Sequence, residues 1–191
     1  MAEVTIKNRD AEVITLGSGD LMVKEYDATT GVPAYTEFSA ETDLLGRIQG
    51  GATLEYKPTY YEAKDDTGIV SKTIITEEEA TFKSGVLTWN GKTLAKLAST
   101  ARVTEKDGIR NVKIGGVANN NGKSYALCFH HTDNQDGDVW IVIRGVNQAG
   151  FSLAFAKDKE TVIDAEFKCQ PIDKAGTLIE YNEEMTTTVA G

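Results

Sequence analysis

Both histidines, one of the two cysteines and three aspartates fall within the stretch Cys128-Phe129-His130-His131-Thr132-Asp133-Asn134-Gln135-Asp136-Gly137-Asp138. Thiolate and imidazole are zinc ligands, but a zinc site needs three or four of them. Tyr125, Leu127 and Phe129 alternate with Ala126 and Cys128, which predicts a strand running to the histidines. Neighbours on a strand point to opposite faces, so His130 and His131 cannot reach one metal ion. Cys128 and His130 share a face, yet Cys169 is far away in sequence. Calcium fares no better: the order D-N-Q-D-G-D departs from the D-x-[DN]-x-[DN]-G loop, and no glutamate stands at its closing position. Aspartate and asparagine beside a glycine are also what a hairpin turn requires, and the stretch reads as a turn between two strands.

Other chemistry is equally unsupported. The chain has no G-x-S-x-G, and its two histidines sit together at one strand end, which leaves a nucleophilic triad without its components. A glycosidase needs two carboxylates, and nothing in the pattern singles out a pair among 29. No catalytic residue, cofactor site or metal site is expected. Trp89, Trp140, Tyr60 and Tyr61 could stack on sugars. Trp140 lies within the apolar run Val139–Ile143 and reads as core, whereas Tyr60 and Tyr61 lie in a polar segment and suit an exposed contact surface, for a glycan or for a protein.

Most of the elements that would position these residues read as strands. Thr161, Ile163, Ala165, Phe167 and Cys169 alternate with polar neighbours, and Phe151, Leu153 and Phe155 repeat the period, so 124–169 is predicted to be a meander of four strands. Val13–Leu16 and Leu21–Val23 flank Gly17-Ser18-Gly19-Asp20, a hairpin signal. Further strands are predicted over 48–56 and 69–75. Between them KPTYYEAKDDTG forms a long hairpin tip that turns at Asp65-Asp66-Thr67-Gly68. One helix is expected, of about three turns: Asn90 can cap it, and Leu94, Leu97, Ala98 and Ala101 share a face. After Pro171 a short apolar patch, Leu178, Ile179 and Tyr181, precedes a polar end. Many antiparallel strands with one helix predict a mainly β chain, a β-sandwich or barrel carrying an α-helix, in a single domain over 1–191.

Twenty basic and 29 acidic side chains give a net charge of −9, which disfavours a nucleic-acid-binding surface. Six acids against two bases place much of that excess between 62 and 79. No apolar run is long enough to span a bilayer, and MAEVTIKNRDAEV lacks the layout of a secretory signal, so synthesis in the cytosol with free thiols is expected.

The segment Gly46-Arg47-Ile48-Gln49-Gly50-Gly51 through Lys57-Pro58, followed by Tyr61-Glu62-Ala63-Lys64-Asp65-Asp66-Thr67-Gly68, resembles the glycine-pair strand and long hairpin of the major tail tube proteins of long-tailed, non-contractile bacteriophages. Gly150–Phe155, Glu166–Pro171 and Gly176–Ile179 are similar to the closing hairpin and C-terminal extension of the same family. The resemblance implies a structural virion protein without catalytic residues, assembled in the host cytoplasm. Six copies would form a ring, and rings would stack into a hollow tube through which DNA passes without specific binding. It further implies tape-measure, tail-terminator and tail-tip proteins as partners, and no membrane. On this expectation a hairpin over about 55–75 and an arm over about 171–191 bridge successive rings, with Lys57, Tyr60, Tyr61, Glu62, Asp65, Asp66, Leu178, Ile179 and Tyr181 as contact residues. The tube of a contractile tail or secretion-type particle shares the architecture. A carbohydrate-binding β-sandwich is the alternative from another class.

Overall fold

The computed structural model describes residues 12–69 and 71–185. The chain is mainly β, with one α-helix. The large antiparallel sheet has the order β2-β1-β7-β8-β9-β4-β3. Its members are β1 (Asp20–Glu25), β2 (Leu44–Gly46), β3 (Ile48–Lys64), β4 (Ser71–Val86), β7 (Tyr125–His131), β8 (Val139–Asn147) and β9 (Ile163–Gln170). Strand β10 (Ile179–Glu183) joins it beside β8. A separate two-stranded hairpin, β5 (Arg102–Lys106) and β6 (Ile109–Lys113), follows the helix α1 (Gly91–Leu97).

The sheet curls back on itself into a barrel-like form, although among the described residues no ladder joins its end strands β2 and β3. Its two outermost members, β2 and β3, are separated in sequence by Arg47 alone, so the ends of the sheet order are tied together covalently. Phe82 of β4 and Phe129 of β7 have ring centroids 5.9 Å apart although β8 and β9 lie between those strands. A flat sheet would hold them about 14 Å apart at about 4.8 Å per strand. The interior is filled by alternate residues of each strand: Leu21 and Val23, Phe82 and Val86, Leu127, Ile143, Ile163 and Phe167. Full burial of each large side chain contributes roughly 1.5–3 kcal/mol. Trp89, Leu94 and Leu97 bring α1 onto the same core. Asn90 caps the helix, its side chain accepting from the Lys92 and Thr93 amides.

The opposite faces of β1, β7 and β8 are covered as well. Met22, Ala126, Cys128 and Val142 form a second cluster with Phe38, against which Val32, Tyr35 and Trp140 pack. Both cysteines are buried and free. Burial pushes the Cys128 thiol up to about 12 and Cys169 up to about 11, so both remain neutral.

Several expectations need correction. Residues 13–16 form no strand, and the element after Gly17-Ser18-Gly19 pairs with β7 and β2 instead. The meander over 124–169 has three strands rather than four, because 151–155 is irregular. The Gln148 amide still donates to the Glu166 carbonyl (3.2 Å), while the Asn147 side chain accepts from the Glu166 amide (3.0 Å) and donates to the Gly150 carbonyl (2.7 Å), and past this point the chain leaves β9. Phe151 and Leu153 still pack on the core, while Phe155 is exposed. The helix stops after two turns, at Leu97. Ala98 is extended, and the next carbonyl, that of Ser99, serves the loop at Asn121.

Candidate assembly interface

Strands β3 and β4 form a ladder that reaches far beyond the barrel. Pairing runs from Ile48↔Val86 to Lys64↔Ser71. Strand β9 flanks β4 only from Thr81 to Val86. Beyond Thr81 the two strands continue as a ribbon, and every residue from Ser71 to Glu79 is exposed. Gly50 and Gly51, at φ 80° and 79°, supply an irregularity opposite Gly85 and Ser84 at the start of β3, inside the part that β9 flanks; from Ala52 on the ladder is regular past the exit at Glu55 and Thr81. Pro58 is tolerated because, among the described residues, β3 has no neighbour on its outer side. Near the tip a second bulge, at Thr76, shifts the register between Thr59 and Tyr60, and the Asp65–Gly68 turn closes the ribbon with a 3.0 Å bond from the Gly68 amide to the Asp65 carbonyl.

Cross-strand neighbours share a face. One face of the ribbon therefore carries Tyr60 with Ile75 and Glu62 with Thr73, and the other carries Lys57 with Glu79 and Tyr61 with Ile74. Each face exposes an aromatic–aliphatic pair: Tyr60 and Tyr61 are both 59% exposed, and Ile75 is 51% exposed. Around these pairs runs a charged frame. Lys57 binds Glu55 at 2.7 Å, and Lys64 binds Glu62 at 3.0 Å. The Glu55 hydrogen bond raises the Lys57 pKa, and the reciprocal bond lowers that of Glu55. Tyr56 donates to Glu78, which raises its phenol pKa.

The nine residues expected at contacts thus divide. Lys57, Tyr60, Tyr61, Glu62, Asp65 and Asp66 all stand on the ribbon or its turn. Leu178 and Ile179 are half-buried against the barrel core, and Ile179 pairs with Ile143. Tyr181, opposite Ile141, is exposed and donates to Glu183 at 2.9 Å. The segment 179–183 is therefore a strand of the chain's own sheet, continuing along the edge of β8 that β9 occupies at Arg144–Asn147.

The opening stretch is a strand end and a turn. His131 is buried, with Nδ1 2.7 Å from the Ser18 carbonyl. His130 stacks on Trp140 at 4.9 Å and meets Asp138 at 2.9 Å. Asp133 Oδ1 accepts from the amides of Gln135 and Asp136, the self-capping expected of a turn. Among the described residues no group of three or more His, Cys, Asp or Glu side chains is placed to hold a metal ion. The aromatic residues do not line up as a platform: Tyr60 and Tyr61 occupy opposite faces, Trp140 packs with Tyr35 and His130, and Trp89 donates to the Thr161 carbonyl.

The hairpin β5–β6 was not foreseen from sequence. Its signal is Asp107-Gly108, both at positive φ (52° and 76°), a two-residue turn between alternating residues. Val112 and Arg110 pack on the first turn of α1, leaving no room for a side chain at Gly91.

No protein-family model matches the chain, and no curated protein matches it in sequence.

Proposed function

We propose that this chain is a structural subunit that assembles with copies of itself into the tube of a phage tail, as rings of six stacked around a passage for DNA. The carrying observation is the ribbon beyond Thr81, a long two-stranded projection with large apolar side chains exposed on both faces. Isolated two-stranded ribbons are marginal in water, and a neighbouring subunit that covers both faces removes that liability. Beyond Thr81 neither β3 nor β4 has a further partner strand among the described residues, so the ribbon presents two unpaired sheet edges. The net charge of −9 suits a wall past which phosphates slide. Tape-measure, terminator and tip proteins would be its partners in a virion. The contractile-tail variant of the tube shares every one of these supports.

Negative-stain electron microscopy of the concentrated protein, beside its mass in dilute solution, tests the reading. Rings or tubes are expected. A protein that remains monomeric at every concentration and shows no ring would overturn it.

A further inference from the structure

The β5–β6 hairpin is the basic region of an acidic protein. From Gly91 to Lys113 six cations (Lys92, Lys96, Arg102, Lys106, Arg110, Lys113) stand against two carboxylates, Glu105 and Asp107. The pairing sorts them by face. Val103 with Val112 and Glu105 with Arg110 share the face that packs on α1, where Arg110 Nε binds Glu105 Oε1 at 2.7 Å and lowers its pKa. The outward face holds Arg102 with Lys113, Thr104 with Asn111, and Lys106 with Ile109. Its paired positions carry three cations and an isoleucine that is 70% exposed, with the Asp107 carboxylate of the adjoining turn 4.0 Å from Lys106.

The long ribbon is the complement. From Glu55 to Glu79 seven carboxylates stand against three lysines. Glu77, Glu78 and Glu79 follow one another, with Tyr60, Tyr61, Ile74 and Ile75 exposed toward the tip. The ribbon tip and the hairpin lie toward opposite ends of β4: the strand runs from Ser71 at the tip to Val86, next to Trp89 and α1, a span of roughly 50 Å at the usual rise per residue, with Glu77, Glu78 and Glu79 about midway. Within the chain Glu79 meets Lys168 (2.9 Å), Glu62 meets Lys64 (3.0 Å) and Tyr56 donates to Glu78, which offsets the ribbon's acid excess only in part. Copies joined end to end can offset the rest, through a heterologous interface that leaves one donor and one acceptor free at the ends of any stack.

We infer that the outward face of the β5–β6 hairpin is the docking surface for the acidic ribbon of a second copy of this chain, arriving from the next ring. This pairing rests on the tube reading and specifies which surfaces meet. Arg102, Lys106 and Lys113 attract the glutamates, and Ile109 covers the tyrosine and isoleucine side chains, in a contact that fixes the polarity of the stack.

The test uses the full chain in two charge-reversed forms. One carries Arg102→Glu, Lys106→Glu and Lys113→Glu; the other carries Glu77→Lys, Glu78→Lys and Glu79→Lys. Each substituted side chain is solvent-exposed, and unchanged circular dichroism verifies folding. Each form alone is expected to need on the order of a hundred-fold more protein than wild type to assemble, read by light scattering and microscopy, because like charges then meet at every junction. An equimolar mixture is expected to recover assembly, since each form's donor then matches the other's acceptor. If wild type assembles and the first form assembles equally well, or if mixing recovers nothing, the pairing is overturned while the tube reading stands. If wild type forms no assemblies at all, both fall.

Discussion

The two halves of one hairpin have opposite fates. Near the barrel, residues 80–86 of β4 alternate between buried and accessible positions, with Phe82 and Val86 inside and β9 on the flank. From Ser71 to Glu79 the same strand, on the same partner, buries nothing. Ladder hydrogen bonds are shared by both halves, so they are not what distinguishes them. The difference lies in a third strand and an apolar interior. The proximal half is held by the fold, and the distal half is offered to something else.

The strongest way to break this contrast is to remove the distal half. Tyr56 and Ala80 face each other across the ladder, so replacing 57–79 with Asn-Gly closes the hairpin with a two-residue turn. This truncation is expected to abolish rings and tubes completely while circular dichroism and the urea midpoint stay within error of wild type. A folded truncation that still assembles would remove the ribbon from the mechanism. Next in size, Phe82→Ala in the proximal half should cost about 3–5 kcal/mol in urea unfolding, because the cavity opens inside a closed core. A loss below about 1 kcal/mol would mean that the barrel interior tolerates voids. The smallest effect is expected from Ile75→Ala, a few residues away on the same strand. Stability should change by roughly 0.2–1 kcal/mol, the scale of one cross-strand pair, and the concentration needed for assembly should rise. An Ile75 cost comparable to that of Phe82 would show that the ribbon is packed in the monomer.

The strand that flanks the proximal half was readable from residue order, since Ile163, Ala165, Phe167 and Cys169 alternate cleanly and do line the barrel, whereas residues 80–86 themselves carried no strand expectation. The Asp65–Gly68 turn was equally legible. The length of the ribbon was not, because strands were expected only over 48–56 and 69–75, with Pro58 a turn signal between them and Glu77-Glu78-Glu79 just beyond. An edge strand accepts the proline, and exposure on both faces accepts the acids. Conversely, Phe151, Leu153 and Phe155 have a strand's period without a strand, since the edge of β8 that they would pair with is taken by β9 at Arg144–Asn147 and by β10 at Val139–Ile143. The C-terminal patch was legible as apolar, but whether it packs on its own barrel or on a neighbour depends on the distant Ile143 and Ile141. The curling of the sheet back on itself, with β2 and β3 joined through Arg47, left no local trace. It is a property of strand order, which only long-range pairing sets.

Because β4 runs without interruption from the tip of the ribbon into the wall of the barrel, a pull on the tip arrives along the strand axis. The bonds joining β4 to β9 between Thr81 and Val86 are then loaded together, in shear, and cannot rupture in succession as a zipper does. Tension entering through the ribbon is shared across the barrel wall, so that if copies stack as proposed, the ribbon and wall would form a continuous tensile element from subunit to subunit.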